Sequence, residues 1–338
     1  MSESIERLPN LVVRRDQLQA ASRITPREWL VHGTLFLLTL LTTTLAGIIL
    51  VAPELPAPEA PLQRAMDYIL YVPRLYTASI AEIVNAALSD RHALSQGLIF
   101  SVSLLAILAA HEMGHYLACR FYRVNATLPF FIPAPPLFLA GTFGAFIKIR
   151  AAIPSRRALF DIGLAGPLAG FVVAVPVAII GILHTLPPVA GKGSEIIFND
   201  PLLFRLLAKL LGVHLDPYSP INPYYMAAWI GLLVTSLNLM PVGQLDGGHG
   251  TFAVFGERAH RLIGRLSFLA MVILAGLGFL WHGSPSGFVY CVLLAIMLKV
   301  RHPQPAVMEP LGRMRTSVAV ITLLVFVLCF WPFPFTLA

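Results

Sequence analysis

Long apolar runs alternate with shorter polar segments along most of this chain. Judged against the ~20 residues that a helix needs to cross a bilayer, the candidate spans are residues 30–52, 97–119, 158–184, 223–241, 262–281, 286–300 and 316–334. The sixth run is short, so we expect six to eight transmembrane helices rather than a fixed seven. The pattern predicts an all-α polytopic membrane protein.

One apolar segment between the second and third runs cannot be a regular helix. Residues 128–136 carry four prolines, and residues 141–150 then read as a strand with glycines at its start. Apolar, non-helical chain beside a membrane must be buried in protein or line a cavity. We therefore predict a small re-entrant β element whose free edge could pair with an extended peptide. An amphipathic surface loop is the alternative.

Composition agrees with a membrane protein. Hydrophobic residues make up 57% of the 338 positions and charged residues only 12%, which excludes an ordinary soluble domain. The net charge of +7 needs no nucleic-acid partner, because the cations follow the topology of the chain. The lipid bilayer is the partner that the composition implies.

The distribution of cations predicts the orientation in the membrane. If residue 1 lies in the cytoplasm and the chain alternates through seven spans, 18 of the 24 Lys and Arg fall on the inner side. This asymmetry is the positive-inside signature, and it places the C-terminus outside. The second run then ends near the cytoplasmic face.

The polar segments divide the chain into one membrane domain with modest additions. We expect a cytoplasmic tail over residues 1–29 and a membrane-embedded domain over 30–338, with a core at about 97–260. The outer loops are 53–96, with an amphipathic stretch at Ala65–Leu88, and 185–222, with a short helix at Pro201–Leu211. The first run reads as a retained helix rather than a cleaved signal peptide. The three cysteines are scattered and suggest neither a disulfide nor a thiolate zinc site.

Candidate chemistry stands at the end of the second run, where residues 111–115 read H-E-x-x-H. On a helix His111 and His115 project from one face and can both reach a single Zn²⁺. Glu112 beside them is placed to act as a general base. A satisfied polar cluster is a poor alternative, because three ionisable groups within five residues are expensive in lipid.

A catalytic zinc usually has three protein ligands, so a third is expected from a distant segment at the same depth. Asp246 is the best candidate, since the fourth run also arrives at the cytoplasmic side and neighbouring glycines allow close approaches. A turn or helix-capping role is the alternative for Asp246. His249 reads as a neighbour of the site or a turn residue rather than a fourth ligand.

Other polar and small residues have non-catalytic interpretations. Asp161 could orient a ligand or form an ion pair with Arg156 or Arg157. Gly166 and Gly170 have the small-xxx-small spacing of packed membrane helices.

Taken together, these motifs resemble the site-2 protease family of intramembrane zinc metalloproteases. The similarity covers about residues 97–260 in the family's order, and looks most like its bacterial and plastid branch. No inserted PDZ-like or CBS-like domain is recognisable in the sequence. The segments that carry the resemblance are residues 111–115, 141–144, 165–170, 238–241 and 245–247.

The resemblance implies one Zn²⁺ per chain, held by His111, His115 and Asp246, with Glu112 as the general base. It implies cleavage of membrane proteins within or near a transmembrane helix, as in regulated intramembrane proteolysis. Residues with an implied role towards the substrate or transition state are Asn238, Gly141, Thr142, Phe143 and Gly144.

Functions of three other classes fit these residues less well. A transporter or channel with a structural or transported metal site would use similar residues, but it would not require Glu112 beside the first ligand. A catalytically silent scaffold would be expected to lack Glu112 or a ligand. A prenyl-protein protease would more often supply a helical glutamate than Asp246. We expect a multi-pass protein of the bacterial inner membrane with its site near the cytoplasmic side; substrate and oligomeric state stay open.

Overall fold

The computed structural model describes residues 25–49, 65–135, 138, 140–187, 196–300, 302 and 304–337. Most of the expected cytoplasmic tail, residues 1–29, lies outside these ranges. The four prolines that open the 53–96 segment also lie outside them.

The described residues are mostly helical. The helices are α1 (Pro26–Ile49), α2 (Ala65–Ser89), α3 (Arg91–Phe121), α4 (Arg156–Leu183), α5 (Leu202–Leu211), α6 (Pro223–Asn238), α7 (Asp246–His282), α8 (Ser286–Lys299) and α9 (Arg313–Cys329). The strands are β1 (Phe130–Pro133), β2 (Thr142–Phe146), β3 (Ile196–Phe198) and β4 (Phe335–Leu337).

Four of the described helices, α1, α3, α4 and α7, are long and apolar enough to cross a membrane. They contain most of the first, second, third and fifth predicted runs. The other three runs form the shorter helices α6, α8 and α9. A predominantly helical protein with several candidate spans is therefore confirmed, while the count of six to eight stays a prediction. The short helix expected at Pro201–Leu211 is confirmed as α5.

Helix α3, which carries the H-E-x-x-H motif, packs against α1, α4 and α6. Large side chains such as Phe100, Leu104, Phe160 and Met226 are fully buried between these helices. Local sequence fixes where the helices begin: Asp90 and Ser155 accept hydrogen bonds from backbone N–H groups of α3 and α4. The centre of the bundle therefore holds the motif in a fixed apolar frame.

The proline-rich segment forms an antiparallel hairpin of β1 and β2, in which Phe130 pairs with Phe146 and Phe131 with Ala145. The predicted strand at residues 141–150 is thus present, but its regular part is shorter. A register shift after Phe131 and a left-handed Gly144, with φ of 99°, limit the regular pairing. A second small sheet, β3 with β4, was not predicted.

The glycine-rich segment after α6 differs from the predicted turn. Only its first part is a turn, with Gly243 at φ of 55°, and α7 begins at Asp246. A Cβ at Gly247 or Gly248 would collide with the backbone carbonyls of Leu239 or Gly243. These glycines are therefore needed for close packing at the helix start. Gly256, at φ of 80°, then breaks α7 into two helical parts.

Candidate metal centre and active site

The structure brings His111, His115 and Asp246 together, although Asp246 is more than 130 residues away along the chain. The Nε2 atoms of both histidines lie 3.3 Å from Asp246 Oδ2, and 3.2 Å from each other. Both histidines are buried. The three residues form a compact cluster inside the helical bundle.

The spacing of these atoms suits a tetrahedral zinc ion. Zinc binds imidazole nitrogen and carboxylate oxygen at ~2.0–2.2 Å, so two ligands of a tetrahedron lie about 3.3–3.5 Å apart. The three separations in the cluster, 3.2, 3.3 and 3.3 Å, are close to the edges of such a tetrahedron. Two imidazoles and one carboxylate also form a donor set typical of catalytic zinc, with one position left for water or substrate.

Helix α4 fixes the orientation of the two imidazoles. His115 donates a hydrogen bond from Nδ1 to the Ile162 carbonyl oxygen over 2.7 Å, which turns Nε2 towards the cluster. A Cβ on Gly166 would overlap the His115 ring, and a Cβ on Gly170 would lie 3.2 Å from His111 Cβ. The two glycines thus do more than let helices pack, which was the sequence-based interpretation. They make room for the histidines.

Asp246 is held by the start of α7. The turn at 239–245 and the close packing of Gly247 on Leu239 bring this helix end into contact with the end of α6. A carboxylate in the first turn of a helix is stabilised by the positive end of the helix dipole. The third candidate ligand is therefore the first residue of a helix rather than part of a flexible turn.

Glu112 and the cluster face a cavity of about 280 Å³. Its walls come from α3, α4, the end of α6, the start of α7 and the chain at 145–153. Ile147, just after β2, lines the cavity together with Glu112. The proposed base is only 6% exposed and lies beside both the cluster and a strand end. This is the arrangement that a general base for an attacking water requires.

The structure separates the residues that the resemblance linked to substrate. Asn238, the last residue of α6, lines the cavity, and its Nδ2 lies 3.3 Å from His111 Nε2. The strand borders the cavity instead through its far end, at Ala145, Phe146, Ile147 and Ile149.

The four residues at the near end of the strand have structural contacts. Gly141 packs on the α1 backbone, Thr142 donates to the Ile132 carbonyl oxygen and accepts from the Gly144 N–H, and Phe143 is exposed. The predicted receiving strand, residues 141–150, includes Ala145 and Ile147, but the residues singled out on it were the four from 141 to 144. The alternation of neighbours along a strand could have suggested Ala145 and Ile147 as well.

His249 is not brought into the cluster as a ligand. Its Nδ1 lies 2.8 Å from His302 Nε2. A Cβ added to Gly163 of α4 would lie 2.6 Å from the His249 Cβ, so His249 can pack here only against a glycine. His249 therefore borders the cavity as a neighbour of the site, as expected. The contact with His302, which follows α8, had no signal in the spacing of the sequence.

Asp161 forms an ion pair, but the partner expected from the sequence was wrong. Arg315 of α9 binds Asp161 through Nε and Nη2, at 2.9 and 2.7 Å. The Tyr122 hydroxyl also donates to this carboxylate. Burial is the main cause that raises the pKa of this hydroxyl above its ordinary value, and the hydrogen bond to Asp161 is the second. Arg156 and Arg157 instead donate to backbone carbonyls of Ala253 and Pro310. Since Asp161 precedes Ile162, the pair ties α9 to the segment that holds His115.

Comparison with known proteins gives a family match over the region of the site. The sequence model of Peptidase family M50 matches residues 99–282, more than half of the chain, and includes all three cluster residues and Glu112. No solved structure shows significant similarity to this chain.

Several curated plant proteins are similar over larger parts of the chain. "Probable zinc metalloprotease EGY2, chloroplastic" of Arabidopsis thaliana is 29% identical over 96% of this chain and 52% of its own length. The rice (indica) protein of the same name is 33% identical over 72% and 44%. "Probable zinc metalloprotease EGY1, chloroplastic" of Arabidopsis thaliana is 36% identical over 52% and 32%. The chain thus spans about half the length of these relatives, or less.

Proposed function

Since this chain belongs to peptidase family M50, the site-2 protease family, we propose that it is an intramembrane zinc metalloprotease. It hydrolyses peptide bonds in or near the transmembrane segments of membrane proteins. One observation carries the proposal: His111, His115 and Asp246 converge with zinc-ligand spacing beside Glu112, within helices apolar enough to span a membrane. Substrate proteins with a transmembrane helix are the partners that this activity requires.

The reaction divides between the metal and the side chains of this chain. His111, His115 and Asp246 would hold one Zn²⁺ per chain, which when bound would supply Lewis-acid polarisation of the scissile carbonyl and lower the pKa of water. Glu112 accepts the proton of the attacking water and passes it to the leaving amine. Asn238, at the edge of the cavity, is placed to hold the substrate carbonyl or donate to the developing oxyanion.

A substrate must present an extended segment, because a helix hides its carbonyls and amides in its own hydrogen bonds. We assign the receiving edge to β2 and the chain that follows it to residue 149. The Lys148 N–H donates to the Thr127 side-chain oxygen, and the Lys148 carbonyl accepts from the Thr127 N–H. The alternation of an extended chain therefore turns the N–H and C=O of Ala145 to the opposite side, which borders the cavity. The unwound segment would pair there, next to Glu112. Thr142 and the glycines at 141 and 144 shape this strand.

Replacing Ala145 with proline tests the strand edge, because proline removes an N–H that would bond to the substrate. We expect cleavage of a single-span substrate to fall about tenfold or more, with unchanged zinc content. Ala145→Ser keeps the N–H and serves as the matched control. Equal cleavage rates for the two variants would exclude pairing at this position.

The organisation of the chain and its place in the membrane complete the proposal. We propose a membrane-embedded domain from residue 30 to 338 with its catalytic core at 97–260, six to eight spans, and a re-entrant β1–β2 hairpin. The excess of inner cations supports a site near the cytoplasmic face of a bacterial inner membrane. The similar plant proteins are named as chloroplastic. A role in regulated intramembrane proteolysis fits this arrangement.

A transporter or channel, the alternative from another class, has less support. The candidate metal ligands among the described residues are His111, His115 and Asp246. A transport function would therefore give Glu112 no role. Membership of a peptidase family also favours hydrolysis over transport.

Removal of the metal tests the proposed function. The purified chain in detergent is incubated with a single-span substrate before and after treatment with a zinc chelator. We expect cleavage to disappear on chelation and to return when Zn²⁺ is added in slight excess. The appearance of product fragments over time measures the cleavage. Cleavage that persists in metal-free protein would contradict a zinc mechanism.

A further inference from the structure

A second cavity lies outside the catalytic site, between the second part of α7 and the end of α8. It has a volume of about 460 Å³. Its charged lining consists of Arg261, Arg265 and Lys299 with one carboxylate, Glu257, and its lining also includes His260 and His302. We call this cavity the basic pocket. It plays no part in the proposed hydrolysis.

The charges of the basic pocket are not balanced within the described part of the chain. Glu257 lies 3.7 Å from Arg261 and accepts a hydrogen bond from Gln304 over 3.1 Å. Arg265 and Lys299 have no carboxylate partner among the described residues. Two exposed cations therefore face the same cavity as Glu257 without an ion pair to it or to another carboxylate of the described residues.

The surroundings of these two cations are apolar and exposed. Helix α7 exposes Leu266 and Leu269 next to Arg265, and α8 exposes Val292 and Ile296 before Lys299. In a protein that spans a membrane, such surfaces face lipid chains. Arg265 and Lys299 thus stand at the boundary between a lipid-facing surface and the inner, cation-rich side of the protein.

We propose that the basic pocket binds the phosphate of an anionic phospholipid. Arg265 and Lys299 contact the phosphate, the space between α7 and α8 holds the headgroup, and the acyl chains cover the exposed leucines, valine and isoleucine. Basic pockets between helices on the cytoplasmic side suit such headgroups. A soluble phosphoester has the same charge chemistry, but it would leave the apolar surface beside the cations uncovered.

The proposal is tested by lipid binding, with a readout that is independent of proteolysis. The full chain in detergent is titrated with phosphatidylglycerol and with phosphatidylcholine, and bound lipid is counted by native mass spectrometry. We expect preferential retention of phosphatidylglycerol, weakened about fivefold for each cation removed in Arg265→Gln/Lys299→Gln. The control, Arg120→Gln/Arg313→Gln, removes two exposed cations outside the pocket and is expected to bind like the wild type.

Further arms of the experiment separate the possible sources of the phosphate and guard against misfolding. Glycerol 3-phosphate that binds as tightly as phosphatidylglycerol would overturn the lipid assignment in favour of a soluble phosphoester. Equal retention of phosphatidylglycerol by the pocket and control variants would overturn the site itself. If the double variant loses its thermal unfolding transition, Lys299→Gln alone is measured against Arg313→Gln, with the same two outcomes.

Discussion

Replacing Glu112 with glutamine is expected to lower the rate of peptide cleavage by about 10²–10⁴-fold, the usual contribution of a general base. Glutamine has nearly the shape of glutamate, but its amide cannot accept the proton of the attacking water. Glu112 is not one of the three cluster residues, so the zinc content is expected to stay at one ion per chain. The measurements are initial cleavage rate and metal content of the same preparation.

The matched control is Glu309→Gln. This glutamate lies away from the cavity, and among the described residues its one ion pair is with Arg157, at 3.8 Å. Its cleavage rate is expected to stay within about twofold of the wild type, since partly exposed ion pairs contribute little. A Glu112→Gln protein that retains zinc and cleaves as fast as the control would show that another group accepts the proton.

Replacing Gly166 with alanine is expected to weaken zinc binding by about 10–100-fold, the range found when groups that orient metal ligands are changed. The added methyl group would overlap the His115 ring, so either the imidazole or helix α4 must move. The ligand spacing near 3.3 Å would then be lost. Zinc retained after dialysis against a weak chelator measures the effect, and cleavage is expected to fall with it.

Two further glycines give this prediction a graded control. Gly170→Ala brings a methyl group to 3.2 Å from His111 Cβ and is expected to have a smaller effect. Gly276→Ala, in the open part of α7, meets no atom within 4 Å and is expected to bind zinc normally. Equal zinc retention by all three folded variants, checked by thermal unfolding, would mean that Gly166 does not position His115.

The chemistry with a local signature was predictable from the sequence. Two histidines four residues apart on an apolar run must share one helix face, so His111 and His115 were found from periodicity alone. Asp246 required a second argument, that its segment reaches the same side of the membrane, and the structure does bring its carboxylate to the histidines. The long apolar runs predicted the long helices for the same local reason.

Contacts between distant segments had no such signature. Arg315 pairs with Asp161 across 154 positions, whereas Arg156 and Arg157, nearer in sequence, turn to backbone carbonyls. Gly166 has a spacing that helix packing explains equally well, and only the position of the His115 ring shows its second purpose. The start of a helix at Asp246, rather than a turn, depends on packing against the end of α6. These features arise from tertiary geometry, which local patterns do not encode.

Zinc-dependent cleavage within the membrane is tested most directly by the mass of the products formed from a single-span substrate. The purified chain is loaded with one equivalent of zinc, and the fragments are compared with those formed by Glu112→Gln. We expect two complementary fragments whose new ends lie within or near the transmembrane segment, formed by the wild type and nearly absent with the variant. Intact substrate in the presence of zinc-loaded wild type, or the same fragments with both proteins, would contradict this expectation.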